Sequence, residues 1–153
     1  MSRNSKQPLW QPSIERIEGS NLNRFGEHLE QKLGVTFDNY QQLHDWSVEQ
    51  PNLFWEHIWH FTGIRASQAW DSVLSDGQQF PGAVWFEGAR LNYAENLLRN
   101  RSDKVAIISR LENGSRKTLS YHQLYQQVSE CAAGLRDLGV VSGDRVAGFM
   151  PNI

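Results

Sequence analysis

Cysteine is almost absent: the 153 residues contain one, Cys131, which excludes an intramolecular disulfide and suits a reducing cytoplasm. No apolar run approaches the length of a membrane span. The opening stretch MSRNSKQPLWQPS has no apolar h-region, so it is no secretory signal. Charge of one sign is lacking as well. Fifteen Lys and Arg face seventeen Asp and Glu, for a formal net charge of −2, which leaves no basic footprint for nucleic acid or an acidic membrane. Neither partner is expected, and the expected location is cytoplasmic. There is no Gly-x-Gly-x-x-Gly, no Gly-Lys-Ser/Thr and no Gly-x-Ser-x-Gly, so dinucleotide, Walker-type and serine-hydrolase chemistry lack their signatures. No internal repeat or low-complexity tract appears.

What is present changes along the chain. All six tryptophans fall in the first 85 residues, whereas Val, Ile and Gly concentrate later. The pattern predicts a helical, aromatic lead followed by the start of an α/β region. Residues 1–19, with Pro8 and Pro12 and little periodicity, are expected to be an extended arm. A helix is expected after a cap at Ser20, with Leu22, Phe25, Leu29 and Leu33 on one face and a stop at Gly34. A second is expected from about Asp38, turning Tyr40, Leu43 and Trp46 inward. A third opens on Pro51, whose missing N–H is harmless in a first turn, and stops at Gly63. Its Phe54, Trp55, Ile58, Trp59 and Phe61 make a stripe wide enough to need cover on more than one side, some of it expected from sequence outside these residues.

Residues 64–84 show no decisive pattern. Ala83–Phe86 reads as a strand, and Asn92–Arg99 as a short helix burying Tyr93, Leu97 and Leu98. Val105–Leu111 is a strand by its β-branched content. Asn113-Gly114 signals a two-residue hairpin turn with both positions at positive φ, returning over Arg116–Leu119. Ser120 stands three residues before Gln123, a capping box. Leu124, Val128, Cys131, Leu135 and Leu138 then follow at spacings of four, three, four and three, with Gly139 as the stop. Cys131 is expected to be a small buried core residue on that face. Arg145–Met150 reads as a buried strand ended by Pro151.

Chemistry is sparse. Asn113–Thr118 holds Gly, Ser and Lys, but strand-like flanks make it a turn and no phosphate cradle. Gly134, Gly139 and Gly143 fit a helix and loop turns. His57 and His60 share a helical face beside Glu56, yet no third ligand is evident, so no metal site is assigned. His28, His44 and His122 are scattered. Asp144 and Arg145 are placed for a local ion pair. No catalytic residue can be named, and cofactor-binding residues stay unknown.

Four stretches nevertheless carry a family pattern. WQPSIERIEGSNLNRF (Trp10–Phe25), LHDWSVEQPNLFW (Leu43–Trp55), WFEGARLNYAENLLR (Trp85–Arg99) and Leu119–Asn152, with its Gly-Asp-Arg-Val-Ala and Met-Pro-Asn, resemble acyl-CoA synthetases of the acetyl- and acetoacetyl-CoA type. ARLNYAENLL is closest to the acetoacetyl-CoA synthetase (acetoacetate–CoA ligase) wording. One departure is Glu87, where the pattern has Pro. The resemblance implies the AMP-forming, adenylate-forming superfamily, with residues 20–100 as its helical N-terminal region and 101–153 as the incomplete start of the AMP-binding domain. It implies ATP, Mg and CoA as cofactors of the full enzyme, acetoacetate or a similar short acid as substrate, and an acyl-adenylate intermediate. The family's phosphate-gripping loop, acidic nucleotide-binding residues and catalytic lysine all come later than Met-Pro-Asn. The expectation is therefore an N-terminal portion of such a ligase, inactive alone, with no cofactor of its own. The other expectation is an interaction module whose apolar faces dock on a protein partner or on a separately encoded remainder.

Overall fold

The computed structural model describes residues 10–150. The chain divides between Leu91 and Asn92 into two units, ahead of the boundary near residue 100 read from sequence. The first holds α1 (Ile14–Glu18), α2 (Asn21–Leu33), α3 (Tyr40–Glu49), α4 (Pro51–Thr62), β1 (Ser72–Ser75) and β2 (Val84–Glu87). The second holds α5 (Tyr93–Leu97), β3 (Val105–Arg110), β4 (Arg116–Ser120) and α6 (Tyr121–Asp137). Helices and strands mix as the α/β expectation requires.

In the first unit α2 is the keystone. Ser20 Oγ accepts the Asn23 N–H at its start and Gly34 closes its end, as the sequence predicts. Of the expected face, Phe25 and Leu29 are buried, and Leu43 of α3 joins them in one core cluster. Val35, Phe37, Trp46, Phe54, Ile58 and Phe61 pack around it. Leu22 and Tyr40, both expected inward, stay exposed because they sit at the rim of their helices, beyond the reach of the neighbouring element. The arm expected over residues 1–19 is not extended where it is described. Ser13 caps the single turn of α1 through the Arg16 N–H, which offsets the lack of periodicity there. Residues 1–9 lie outside the described residues.

The wide stripe of α4 finds two covers inside the same unit. One side meets α2 and α3: Phe54 packs edge-on to Phe25 at 5.8 Å and to Trp46 at 6.3 Å. The other side meets the β1–β2 hairpin, where Trp59 lies 4.8 Å from Trp70 and 4.7 Å from Phe86. The two strands pair antiparallel with Leu74 opposite Trp85, and the ladder extends by a bridge between Gln68 and Arg90. Phe86 reaches the cluster at a cost: its φ is +49°, in the left-handed region. Immediately after it, Gly88 at φ +81° closes the turn under the Asp71 carboxylate, in space a Cβ would occupy.

In the second unit β3 and β4 form the expected hairpin, with Ile108 opposite Thr118 and a register shift between Val105 and Ile107. Its turn differs from the two-residue form. Leu111 N–H donates to Ser115 and Gly114 N–H to Leu111, so Glu112, Asn113 and Gly114 make a three-residue loop. Only Gly114 takes positive φ (+81°), while the Asn113 side chain accepts the Ser115 N–H. α6 begins with the complete capping box of Ser120 and Gln123 and packs on β3 and β4.

Three expectations fail here for one reason: among the described residues nothing covers the surfaces concerned. Tyr93 and Leu97 of α5 are exposed. Cys131 is exposed, and so are Val128 and Leu138 of the same face. Arg145–Met150 forms no strand, because a strand needs a partner for its N–H and C=O groups and none lies alongside. Phe149 is fully exposed.

Candidate functional site

The polar grouping of most chemical interest lies in the first unit, where α2 crosses α4. His28 Nε2 and His57 Nδ1 are 3.1 Å apart, and one ring must donate to the other in the neutral pair. The rings stand at 66° with centroids 5.2 Å apart. Phe25 stacks on His28 at 6.2 Å and Phe61 lies 5.7 Å away, so one side of the imidazole is dry. Burial holds His28 below the ordinary imidazole value, helped by His57, Lys32 and His60, whose positive forms oppose a second charge. The sequence shows His57 and His60 on one helix, but the residue that meets His57 comes from 29 positions earlier. Only helix crossing reveals it. His60 instead lies against Trp70, with centroids 5.5 Å apart.

An apolar hollow of about 370 Å³ opens on the other side of α4, lined by Trp55, Ile58, Trp59, Trp85, Phe86 and Leu91 among others. Trp55 and Trp85 meet edge-on there at 5.7 Å. No charged residue lines the hollow. Ligand sites orient their occupants through a few placed polar groups, so this surface has nothing to align a carboxylate or a nucleotide.

The remaining candidate residues stay apart. Asn113–Thr118 is the β3–β4 turn and its start, with no helix N-terminus near it. The expected Asp144–Arg145 pair is not formed; the Asp144 carboxylate accepts the Val141 N–H at 2.8 Å and shapes the loop after α6. His44 lies 3.4 Å from Asp45 on an exposed surface. The His122 backbone N–H donates to Ser102. Among the described residues no three His, Cys, Asp or Glu side chains converge as a metal site would require.

Nucleotide chemistry needs free N–H groups, cations and metal ligands around a triphosphate. The helix starts do not provide them. Ser13, Ser20, Asn39, Asn92 and Ser120 each turn a side-chain oxygen onto an N–H of their own helix. α4 starts instead with Pro51, which has no N–H to offer. The described residues therefore do not fit ATP, Mg or CoA as a binding site.

Comparison with known proteins places these elements. The family model for the acetyl-coenzyme A synthetase N-terminus matches residues 40–97, and that for the AMP-binding enzymes matches 94–153. A solved structure of acetoacetyl-CoA synthetase from Streptomyces lividans superposes with a TM-score of 0.81 at 40% identity, over 96% of this chain and 23% of that one. The chain matches the N-terminal portion of acetoacetyl-CoA synthetases. The acetoacetyl-CoA synthetase of Macaca fascicularis is 37% identical over 149 residues, covering 95% of this chain and 22% of its own length. That of Rhizobium meliloti is 36% identical over 149 residues. A malonamoyl-CoA synthetase of Penicillium aethiopicum is 34% identical over 151 residues, 94% of this chain and 21% of its own. The chain thus spans about a fifth of the length of the acetoacetyl-CoA synthetases it matches. Its fold is the beginning of the adenylate-forming N-terminal domain, preceded by the helical lead.

Proposed function

We propose that these residues are the N-terminal scaffold of an acetoacetate–CoA ligase. That enzyme joins acetoacetate to CoA with ATP and Mg, releasing AMP and pyrophosphate through an acetoacetyl-adenylate. The observation that carries the reading is the 40% identity and TM-score of 0.81 to the Streptomyces lividans acetoacetyl-CoA synthetase. In this reading residues 1–153 supply packing surface and no catalytic step. The sealed helix starts and the uncharged hollow support that division of labour. Acetoacetate is preferred over malonamate because acetoacetyl-CoA synthetases from several organisms match at slightly higher identity. The ligase would work in the cytoplasm, in the service of lipid metabolism, and the single cysteine is in keeping with a reducing setting.

The test is a chimera in which residues 1–153 replace the matching portion of the Streptomyces lividans enzyme. It should form a thioester from acetoacetate, ATP and CoA, and a folded chimera without that activity would refute the reading. Titration of residues 1–153 alone with ATP or CoA should show no micromolar binding.

A second reading, a non-catalytic interaction module, draws on the exposed Val105, Ile107 and Ile108 of β3 and on Leu138, Val141 and Phe149. Large contiguous apolar surfaces mark contacts with another protein or with missing core. A monomer that unfolds cooperatively and binds no hydrophobic dye favours the module. Dye binding and aggregation favour the scaffold.

A further inference from the structure

The contact between α2 and α4 has a geometry that serves more than packing. His28 and His57 turn ring nitrogens toward each other at 3.1 Å rather than toward water. A zinc ion holds imidazole nitrogens at about 2.0–2.1 Å, so two tetrahedral ligands stand roughly 3.3–3.4 Å apart. The observed separation is within a few tenths of an ångström of that. The outer torsion of histidine is soft, and a rotation of each ring aims both lone pairs at one point. We propose that His28 and His57 form a two-imidazole site for a borderline divalent transition metal, Zn²⁺ or Ni²⁺, which ties α2 to α4.

Three observations support it. Neutral imidazole suits these metals, and burial keeps His28 neutral to lower pH than an exposed histidine. Phe25 and Phe61 flank the His28 ring and limit its orientations. Both histidines are only half-buried, so water can complete the coordination shell. Lys32 lies close enough to act on His28 and opposes a cation. With two protein ligands in place of four, affinity is modest, with Kd on the order of 10–100 µM.

The experiment is a ZnCl₂ titration of the full chain at pH 7.5, labelled with ¹⁵N in the histidine rings. The His28 Nε2 and His57 Nδ1 signals should move together and saturate. His28→Gln and His57→Gln should each weaken binding at least about tenfold, while His44→Gln and His122→Gln leave it unchanged. Signals that move at His44 or His122 instead, variants that bind as the original does, or no binding by about 1 mM Zn²⁺ would each overturn the proposal. Should a variant fail to fold, the ring signals of the unsubstituted chain still decide.

Discussion

Leu29→Ala is the sharpest probe of how the first unit holds together. Leu29 is fully enclosed, at 0% exposure, and shares its cluster with Phe25 and Leu43. Truncating a buried Leu to Ala removes its transfer free energy and leaves a cavity, for about 2.7–5 kcal/mol in well-packed sites. Here the walls of the cavity are rings from three helices, Phe25, Phe54 and Phe61 among them, whose mutual contacts resist collapse. The loss should therefore be about 3–4 kcal/mol. Domains have roughly 0.05–0.15 kcal/mol of stability per residue, so a unit of this size has on the order of 4–12 kcal/mol, and the variant gives up a large share of it. Urea unfolding followed by tryptophan fluorescence reads this unit alone, because every tryptophan lies at or before Trp85 and the units divide after Leu91. A loss below about 1 kcal/mol, in the range of a surface change, would show that Leu29 is not locked in a core and would refute the packing argument.

Three further outcomes are expected. Ser120→Ala removes the capping box at α6, which should cost about 1 kcal/mol and lower helicity measured by circular dichroism; a variant with unchanged melting would contradict the cap's role. Gly88→Ala forces a Cβ into the Asp71 carboxylate at φ +81°, so thermal unfolding should show a loss of about 1–3 kcal/mol. Acid should loosen the α2–α4 contact. Because His28 is held below 6.5 in the fold, the unfolded chain binds protons more readily between those two values. Stability therefore rises with pH through that window and is lost as pH falls below 6.5; unfolding of His28→Gln between pH 7.5 and 5 should show a smaller drop than the original chain.

What could be read beforehand followed how far apart the cooperating residues are. The stops at Gly34 and Gly63 and the caps at Ser20 and Ser120 depend on neighbours within one turn, and they stand as expected. The β3–β4 hairpin was legible because its signal is local, although Asn113 keeps negative φ and the loop gains a residue. The β1–β2 hairpin was not, since Ser72–Ser75 is short and half polar and gains its order from Trp85 and α4. Periodicity names a face but not what covers it, which is why Cys131 and Leu138 were expected inside and lie outside. The His28–His57 contact is set by a helix crossing that no spacing rule encodes.

Phe86 asks two incompatible things of its position. Its left-handed backbone would be easiest for glycine, a residue with no ring to wedge against Trp59 and Trp70. Strain of about 1–3 kcal/mol is set against two ring contacts of roughly 0.5–1.5 kcal/mol each, so no residue relieves one demand without forfeiting the other. Evolutionary drift at this point is confined to aromatic side chains, and the turn into the second unit inherits its direction from that compromise.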